Sequence, residues 1–531
     1  MEEEEEEEEC LLRIRGATFR VSLPRGDCLR GTELSPAGTV AGGLSFCLPL
    51  AEIVCVKLGK GRVPAEEPKD AQDGSLFTVF YVKRERRQRW QLDSLLCEAQ
   101  DPARCREWTG RLQRALDQHG TTRPRNLLVF VNPFGGRRQA AHIYRSKVAA
   151  LFHLAGIATR VIETSRAFEA RDHILQQDLQ GIDGLVCVGG DGMFNEVLHG
   201  LISRTQREAG VSEHSPEASL VPPSLRIGII PAGSTDCVCY STVGTNDPVT
   251  SALHIIIGDS QPLDVCSIHQ HDRLVKFSVS LLGYGFYGDV LADSARRRWM
   301  GPLRYDYSGF KMVLGNRSYQ GTVEFQKAES TLSHPRDSTR CRAGCLVCAG
   351  STKHLRRKDD DTNRDSQPDP DSPTEGRWQS VEGSFVAVNL TCICSACPKS
   401  PEGLSPCAHL ADGTADLVLV RRCSTLDFLR HLSRHTNRGD QFDLPFVSVH
   451  RVTALRFTPK MAEDWTEEQP ILEPKSFFSG LCRGEPLWSS WSCDGESLPH
   501  APLKAKVHHQ LIRLFARGIE SEKATPLFSR G

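Results

Sequence analysis

Between Leu185 and Leu201 a short β-branched run, Leu185-Val186-Cys187-Val188, delivers three glycines around one carboxylate, Gly189-Gly190-Asp191-Gly192. Apolar residues then recur at Phe194, Val197, Leu198 and Leu201. A buried run giving way to helical spacing reads as strand, tight loop and helix. Glycines at such a turn let a ligand approach the backbone, and the N-terminus of the helix beyond favours a negative group such as phosphate. Asp191 does not belong to a phosphate cradle, because like charges repel, so it reads as a proton acceptor or a magnesium partner. An ordinary strand-to-helix turn with a capping Asp is the alternative.

The same grammar recurs on either side. Asn126-Leu127-Leu128-Val129-Phe130-Val131 runs into Asn132-Pro133-Phe134-Gly135-Gly136 and a helix from about Ala140 to Ala155. Thr159 to Thr164 is a further strand, followed by a helix through Arg171, His173 and Ile174. Leu225 to Pro231 is another, ending in Ala232-Gly233-Ser234-Thr235-Asp236. Strands alternating with helices predict an α/β, doubly wound parallel sheet over residues 125–262, with ligands at the carboxyl ends of its strands. Three of those ends carry Gly, Asn, Ser or Thr, so the loops are expected to converge on one site.

The flanks have another texture. Residues 11–120 hold short strands (Leu11–Ile14, Thr18–Val21, Ala51–Val56, Leu76–Val82) and one amphipathic helix, Asp101 to His119, with Trp108, Leu112, Ala115 and Leu116 on one face. That pattern resembles a pleckstrin-homology domain. Between its last long strand and the helix, Lys83-Arg84-Glu85-Arg86-Arg87-Gln88-Arg89-Trp90 sets five basic residues beside an aromatic. Such a loop suits anionic membrane lipids, at about 1 kcal/mol per charge near the surface, or is a solvated hairpin rim. Residues 263–518 read as strand after strand, a mostly antiparallel β-domain with disordered insertions near 353–379 and 461–480. Residues 1–10 are expected to be a solvated acidic tail and residues 519–531 a second tail.

With 65 basic and 66 acidic residues, no global field argues for nucleic acid. The start Met-Glu lacks a secretory or myristoylation signal, and no apolar run approaches the roughly 20 residues that span a bilayer. A cytoplasmic protein is expected. Twenty cysteines in a reducing compartment read as buried small residues or metal ligands rather than a disulfide framework. Cys341-x₃-Cys345-x₂-Cys348, with Cys392-x-Cys394-x₂-Cys397 downstream, has the density of a thiolate zinc site or of packed, redox-sensitive thiols. Leu426 to His435 is a basic amphipathic segment of the kind that calmodulin or a membrane surface takes, or a packed helix.

Taken together, Asn132-Pro133-Phe134-Gly135-Gly136, Gly189-Gly190-Asp191-Gly192, Pro231-Ala232-Gly233-Ser234-Thr235-Asp236 and Asp494-Gly495-Glu496 resemble the diacylglycerol and sphingolipid kinase family, from about Asn126 to Gly518. Within it, Gly190 to Gly200 and Ile229 to Asp247 are most similar to the ceramide-phosphorylating branch. The resemblance implies an ATP-binding α/β domain, a β-sandwich lipid domain and nucleotide in the cleft between them. Asn132, Pro133, Phe134, Gly135, Gly136, Thr164, Glu196, Gly233 and Ser234 would line ATP and Asp494, Gly495 and Glu496 would close over it, with Mg²⁺ as the metal and Ca²⁺ as a stimulator. Asp191 would be the proton acceptor for the lipid hydroxyl, bordered by Gly189, Gly190 and Gly192, although the Asp494/Glu496 turn is a rival base or magnesium ligand. Asp289, in Gly283-Tyr284-Gly285-Phe286-Tyr287-Gly288-Asp289, would read the ceramide head group. The cysteine triplet matches one found in the ceramide branch, and the same likeness points to calmodulin and to peripheral contact with Golgi or plasma membrane. Phosphorylation of sphingosine, diacylglycerol or NAD, and a catalytically silent lipid-binding module, are the competing accounts.

Overall fold

The computed structural model describes residues 9–23, 27–35, 43–61, 74–120, 122–136, 138–301, 303–328, 333–353, 378–437, 440–460, 488–521 and 527–530. The glutamate run 2–8 and most of both expected insertions lie outside them.

The front domain is an antiparallel sheet of β1 (Cys10–Ile14), β2 (Ala17–Ser22), β3 (Cys28–Glu33), β4 (Leu44–Pro49), β5 (Ile53–Leu58), β6 (Leu76–Arg84) and β7 (Trp90–Glu98), in the order β4-β3-β2-β1-β7-β6-β5. Period-two alternation buries Leu12, Ile14, Phe19, Val21, Phe77 and Val79 on one face. Helix α1 (Pro102–His119) packs there through Trp108, Leu112 and Leu116. Its start is set locally: Asp101 accepts from the Ala103 and Arg104 amides, and Pro102 occupies the first turn.

In the central domain β8 (Asn126–Val131) leads into α2 (Ala140–Ile143), a π turn (Tyr144–Val148) and α3 (Ala149–Leu154). Then come β9 (Ala158–Glu163), α4 (Glu169–Gln176), β10 (Gly184–Gly189), α5 (Asp191–Ala209), β11 (Arg226–Pro231), α6 (Cys237–Val243) and α7 (Pro248–Ile257). The four strands are parallel in the order β9-β8-β10-β11. The winding direction reverses between β8 and β10, so the loops leaving those two strands diverge to opposite faces and leave a crevice at their carboxyl ends.

The third region contains β12 (Gln261–Gln270), β13 (Arg273–Ser278), β14 (Leu281–Gly285), α8 (Phe286–Ala295), α9 (Leu303–Gly315), β15 (Tyr319–Lys327), α10 (346–353), β16 (Trp378–Thr391), β17 (Ala415–Arg421), α11 (Thr425–Asn437), β18 (Val447–Pro459), β19 (Trp491–Cys493), β20 (Glu496–Leu498) and β21 (Leu503–Leu514). Its pairings are antiparallel, and two long strands change partners part-way. β16 pairs with β15 through its first half and with β17 and β14 through its second; β18 pairs with β17 and then with β15 and β21. Strands that switch partners in this way form the corners of a sandwich. Its core holds Tyr284, Phe325, Phe385, Phe457 and Trp491. β21 also touches β11 through the Ile227–Leu514 pair, joining this sheet to the parallel one.

One expectation is corrected. Residues 519–531 are not simply a tail: Glu520 bonds the front domain, and β22 (Phe528–Arg530) adds a strand to the β4 edge, with Phe528 ringed by Phe19 and Phe46. In the basic loop, three of the five cations are paired within the protein. Lys83 pairs with Asp93, Arg84 with Glu52 and Glu520, and Arg89 with Asp247. Trp90 lies 3.8 Å from the His254 ring and donates its indole N–H to Glu520 at 3.0 Å. The loop therefore serves mainly as a joint between domains, with Arg86 and Arg87 exposed at its tip.

Candidate active site

Three loops meet at the carboxyl ends of β8, β10 and β11, and glycine is what lets them meet. A Cβ on Gly136, which sits at φ +55°, would lie 2.7 Å from the Ala232 carbonyl oxygen and 3.0 Å from Gly233 Cα. A Cβ on Gly233 would lie 2.6 Å from Gly190 Cα and 2.5 Å from Asp236 Oδ1. Side chains at these positions would push apart loops that now touch backbone to backbone. Asn132 fixes the first loop by accepting from the Phe134 and Gly135 amides at 2.9 and 3.1 Å. Pro133 lies between them, and the Phe134 ring is exposed. Thr164, buried at the end of β9, bonds the Val131 carbonyl just before Asn132. Ser234 is exposed at the tip of the third loop, while Gly192 has open space around its Cα.

Asp191 begins α5 and spans to the next loop. Its two oxygens accept from the Cys237 and Val238 amides, each at 3.0 Å, so it satisfies two of the orphan donors that open α6. Burial raises its pKa above the usual carboxylate range, and those amides act against the rise. Asp236, held at φ +51°, turns back onto the Gly233 amide, 3.0 Å away. Burial first, and then the charge of Asp191, push Asp236 up to about 7. The repulsion that Asp191 exerts on Asp236 is of the kind that a hard divalent cation beside Asp236 would relieve. Glu196, one turn further along α5, is also raised by burial, and its Oε2 is buried without a hydrogen-bond partner.

The acidic turn from the far domain reaches this mouth. Asp494, at φ +46°, accepts from Ser278 Oγ and from the amides of Val279, Ser280 and Leu281 at 2.9–3.1 Å. Its carboxylate thus shapes the β13–β14 turn and ties the acidic turn to it. Gly495, at φ +81°, and Glu496 stand exposed beyond it. Glu496 pairs with the buried ammonium of Lys276 at 2.8 Å, and its charge contributes to the raised pKa of Glu196. Beside the mouth, two contacts help to join the domains. Cys237 Sγ lies 3.2 Å from Ser280 Oγ, and the Phe277 amide donates to His199 Nε2 at 3.1 Å. Burial, followed by Lys276, pulls His199 down to about 3, so it is a neutral acceptor.

Asp289 lies apart from this cluster, on α8. It accepts from the Tyr319 hydroxyl at 2.6 Å and from the Ser489 hydroxyl at 2.7 Å. Nearer the mouth, Asn389 is paired in register with Gly283, whose missing Cβ would lie 3.0 Å from Asn389 Oδ1. Both amide atoms of Asn389 are buried without a partner. The same face of β16 carries Thr391, which bonds the Ser280 carbonyl. Asp236, Lys276, His199, Ser280 and Asn389 had no role in the sequence reading. Only Asp236, inside a glycine loop, carried a local signal. The cysteine triplet is elsewhere, beneath the third region, and the second triplet does not join it: Cys392 instead meets Cys266, 3.0 Å away.

Models of known families match in three blocks: the ceramide kinase PH domain over residues 9–112, the diacylglycerol kinase catalytic domain over 126–268 and the ceramide kinase C-terminal domain over 279–528. Ceramide kinase of Homo sapiens is 47% identical over 96% of this chain and 96% of its own length. That of Mus musculus is 50% identical over 84% of each. Ceramide kinase 1 of Caenorhabditis elegans is 33% identical over 88% of this chain and 79% of its own length. The chain belongs to the ceramide kinase family.

Proposed function

We propose that this chain transfers the γ-phosphate of ATP to the primary hydroxyl of ceramide, giving ceramide 1-phosphate and ADP. One observation carries the reading: the glycine loops at the switch point of the parallel sheet meet the acidic turn of the lipid domain through Cys237 and Ser280. The loops of Asn132–Gly136, Gly189–Gly192 and Gly233–Ser234 offer backbone amides to phosphate oxygens, with Thr164 buttressing the first. The carboxylates of Asp236 and Glu196 would hold the divalent metal, which we take to be Mg²⁺, leaving Asp191 to act as the base. When bound, the metal neutralises charge across the β- and γ-phosphates. The ceramide oxygen attacks γ-phosphorus, the bond to the β-phosphate oxygen breaks, and the alcohol proton passes to Asp191. A positioned base of this kind contributes typically 10²–10⁴-fold.

The lipid side favours a neutral head group. Asp289 is already bonded to two hydroxyls, so it has less call for the ammonium of sphingosine. The unpartnered Asn389 can both donate to and accept from an amide, which ceramide has and diacylglycerol lacks. Beyond it, Phe286 of α8 meets Phe428 of α11 edge-on, and α9 and α11 turn Leu303, Phe310, Leu426 and Leu429 to solvent. That apolar face suits entry of a lipid from a membrane, with Arg86 and Arg87 as the contact to anionic head groups. Phe428 and His431 of α11 are buried, so a calmodulin clamp around this helix would have to unpack them; we assign its outward face to the membrane instead. Among the described residues no helix is long and apolar enough to cross a membrane.

The test is phosphate transfer from labelled ATP to ceramide, sphingosine and diacylglycerol presented in identical mixed micelles. Ceramide is expected to be the preferred acceptor by at least tenfold in kcat/KM. Equal or better use of either competitor would remove the assignment.

A further inference from the structure

Outside the active site, the donor atoms of Cys341, Cys345, Cys348 and His409 all lie within 4.8 Å of one another. The first three come from the stretch that leads into α10, while His409 arrives from a loop more than sixty residues later. Cys341 Sγ and Cys348 Sγ are 3.7 Å apart, and Cys345 Sγ is 3.3 Å from His409 Nδ1. Ligands about 2.3 Å (sulfur) and about 2.0 Å (nitrogen) from a tetrahedral zinc ion sit about 3.8 Å and about 3.5 Å from each other, so the spacing is that of a coordination tetrahedron. None of the three cysteines is in a disulfide.

The surroundings are those of a ligand set. The Leu410 amide donates to Cys341 Sγ at 3.5 Å, the kind of contact that supports a thiolate. His409 is 1% exposed, and its Nε2 has no hydrogen-bond partner among the described residues. The ring is therefore placed by what Nδ1 meets. Both ligand segments are anchored: Ser351 of α10 donates to the Asp412 carbonyl at 2.8 Å, Asp264 accepts from the Gly413 and Gln510 amides, and the Asp264 amide donates to the Leu410 carbonyl.

We infer that Cys341, Cys345, Cys348 and His409 bind one structural zinc ion, and that the ion fastens the segment over which the chain leaves β21 for the front domain. Three soft thiolates with one imidazole, and no carboxylate, select zinc over the hard cation of the kinase site. The fastening is direct: the Ala343 amide, between the first two ligands, donates to the Ile519 carbonyl at 2.9 Å. One residue later, Glu520 grips Arg84 and Trp90 of the front domain. A four-ligand site closed on all sides has no open position for substrate, so its role is structural and independent of the kinase assignment.

The experiment uses the full-length chain, purified on a non-metal resin, with metal content measured by inductively coupled plasma mass spectrometry. About one zinc per chain is expected, released by a mercurial thiol reagent, and hydrogen exchange at residues 515–521 should rise on release. Replacing zinc with Co²⁺ should give the absorption bands of a tetrahedral thiolate site. Cys345→Ser and His409→Ala should each lose zinc by at least tenfold, while Cys394→Ser keeps it. Less than about 0.1 zinc per folded wild-type chain grown with zinc, no tetrahedral Co²⁺ bands, or undiminished zinc in Cys345→Ser would each overturn the site. Because the wild-type readings need no variant, a variant that fails to fold does not rescue the proposal.

Discussion

Cys237 Sγ and Ser280 Oγ lie 3.2 Å apart, and through them the two halves of the catalytic mouth are in register. The Cys237 amide holds Asp191, and the Ser280 amide is held by Asp494. The proposed base and the acidic turn are therefore three contacts apart, although they are separated by three hundred residues of chain.

Asp191→Asn tests the base. The amide cannot take the alcohol proton, and turnover on ceramide is expected to fall by about 10²–10⁴-fold while ATP still binds. Asn also presents an NH₂ where both carboxylate oxygens now accept amides, so a loss of roughly 1–3 kcal/mol in stability should accompany the change. Thermal melts with and without ATP separate the two effects. Near-normal turnover by this variant would take Asp191 out of the mechanism.

Asn389→Leu is expected to split stability from function. The ligand-free protein buries both amide atoms unpaired, which costs about 1–3 kcal/mol, so the isosteric Leu should raise Tm. If Asn389 reads the ceramide amide, KM for ceramide should rise about tenfold with KM for ATP unchanged. A variant with higher Tm and unaltered ceramide kinetics would show that the residue does not touch the lipid.

Much of the nucleotide side was legible because its logic is local. A glycine at a strand end announces close backbone approach within a few residues of the strand that delivers it. The alternation of strand and helix located the crevice. What escaped notice depends on distant partners. The cations of the loop before Trp90 look available in sequence, but their counter-charges, Glu52, Asp247 and Glu520, come from three other places in the chain. Asp494 was visible as part of an acidic turn, yet its use in capping the turn after β13 depends on residues some two hundred positions earlier. β22 is only three residues long, and no period reveals a strand whose support is the exposed edge it joins. His409 stands alone in sequence and becomes a candidate ligand only when folding brings it to the three thiols.

Asp236 predicts a pH-dependent stability. In the folded chain it keeps its proton up to about pH 7, whereas in the unfolded chain it releases it near 4. Between those values the folded state binds more protons, so stability is greatest at the acidic end and falls as pH rises through 7. Asp236→Asn carries no such proton. At φ +51° Asn is well tolerated, and its Oδ1 can still accept from Gly233. Melts of the metal-free protein between pH 5 and 8 should show a downward slope in the wild type that flattens in the variant. Parallel slopes would mean that Asp236 titrates normally.

Glu520→Ala tests the joint between the front domain and the kinase body. Glu520 makes two bonds to the Arg84 guanidinium, each 2.9 Å, and one to the Trp90 indole. Its pKa is held below the ordinary glutamate value, because those hydrogen bonds and the charges of Arg84 and Arg517 outweigh the effect of burial. Removing it leaves Arg84 with Glu52 as its carboxylate partner among the described residues, and a loss of roughly 1–3 kcal/mol is expected for a partly exposed, charge-assisted pair. The effect should be local to the joint: faster hydrogen exchange at Trp90 and in β22, with turnover on a short-chain, water-dispersed ceramide unchanged, since no residue of the mouth touches Glu520. On vesicles, where the front domain must be held against the body to present Arg86 and Arg87 together with the apolar face of α9 and α11, activity should fall several-fold. Equal losses on dispersed and vesicle-borne substrate would instead mean that Glu520 supports the catalytic fold itself rather than its approach to the membrane.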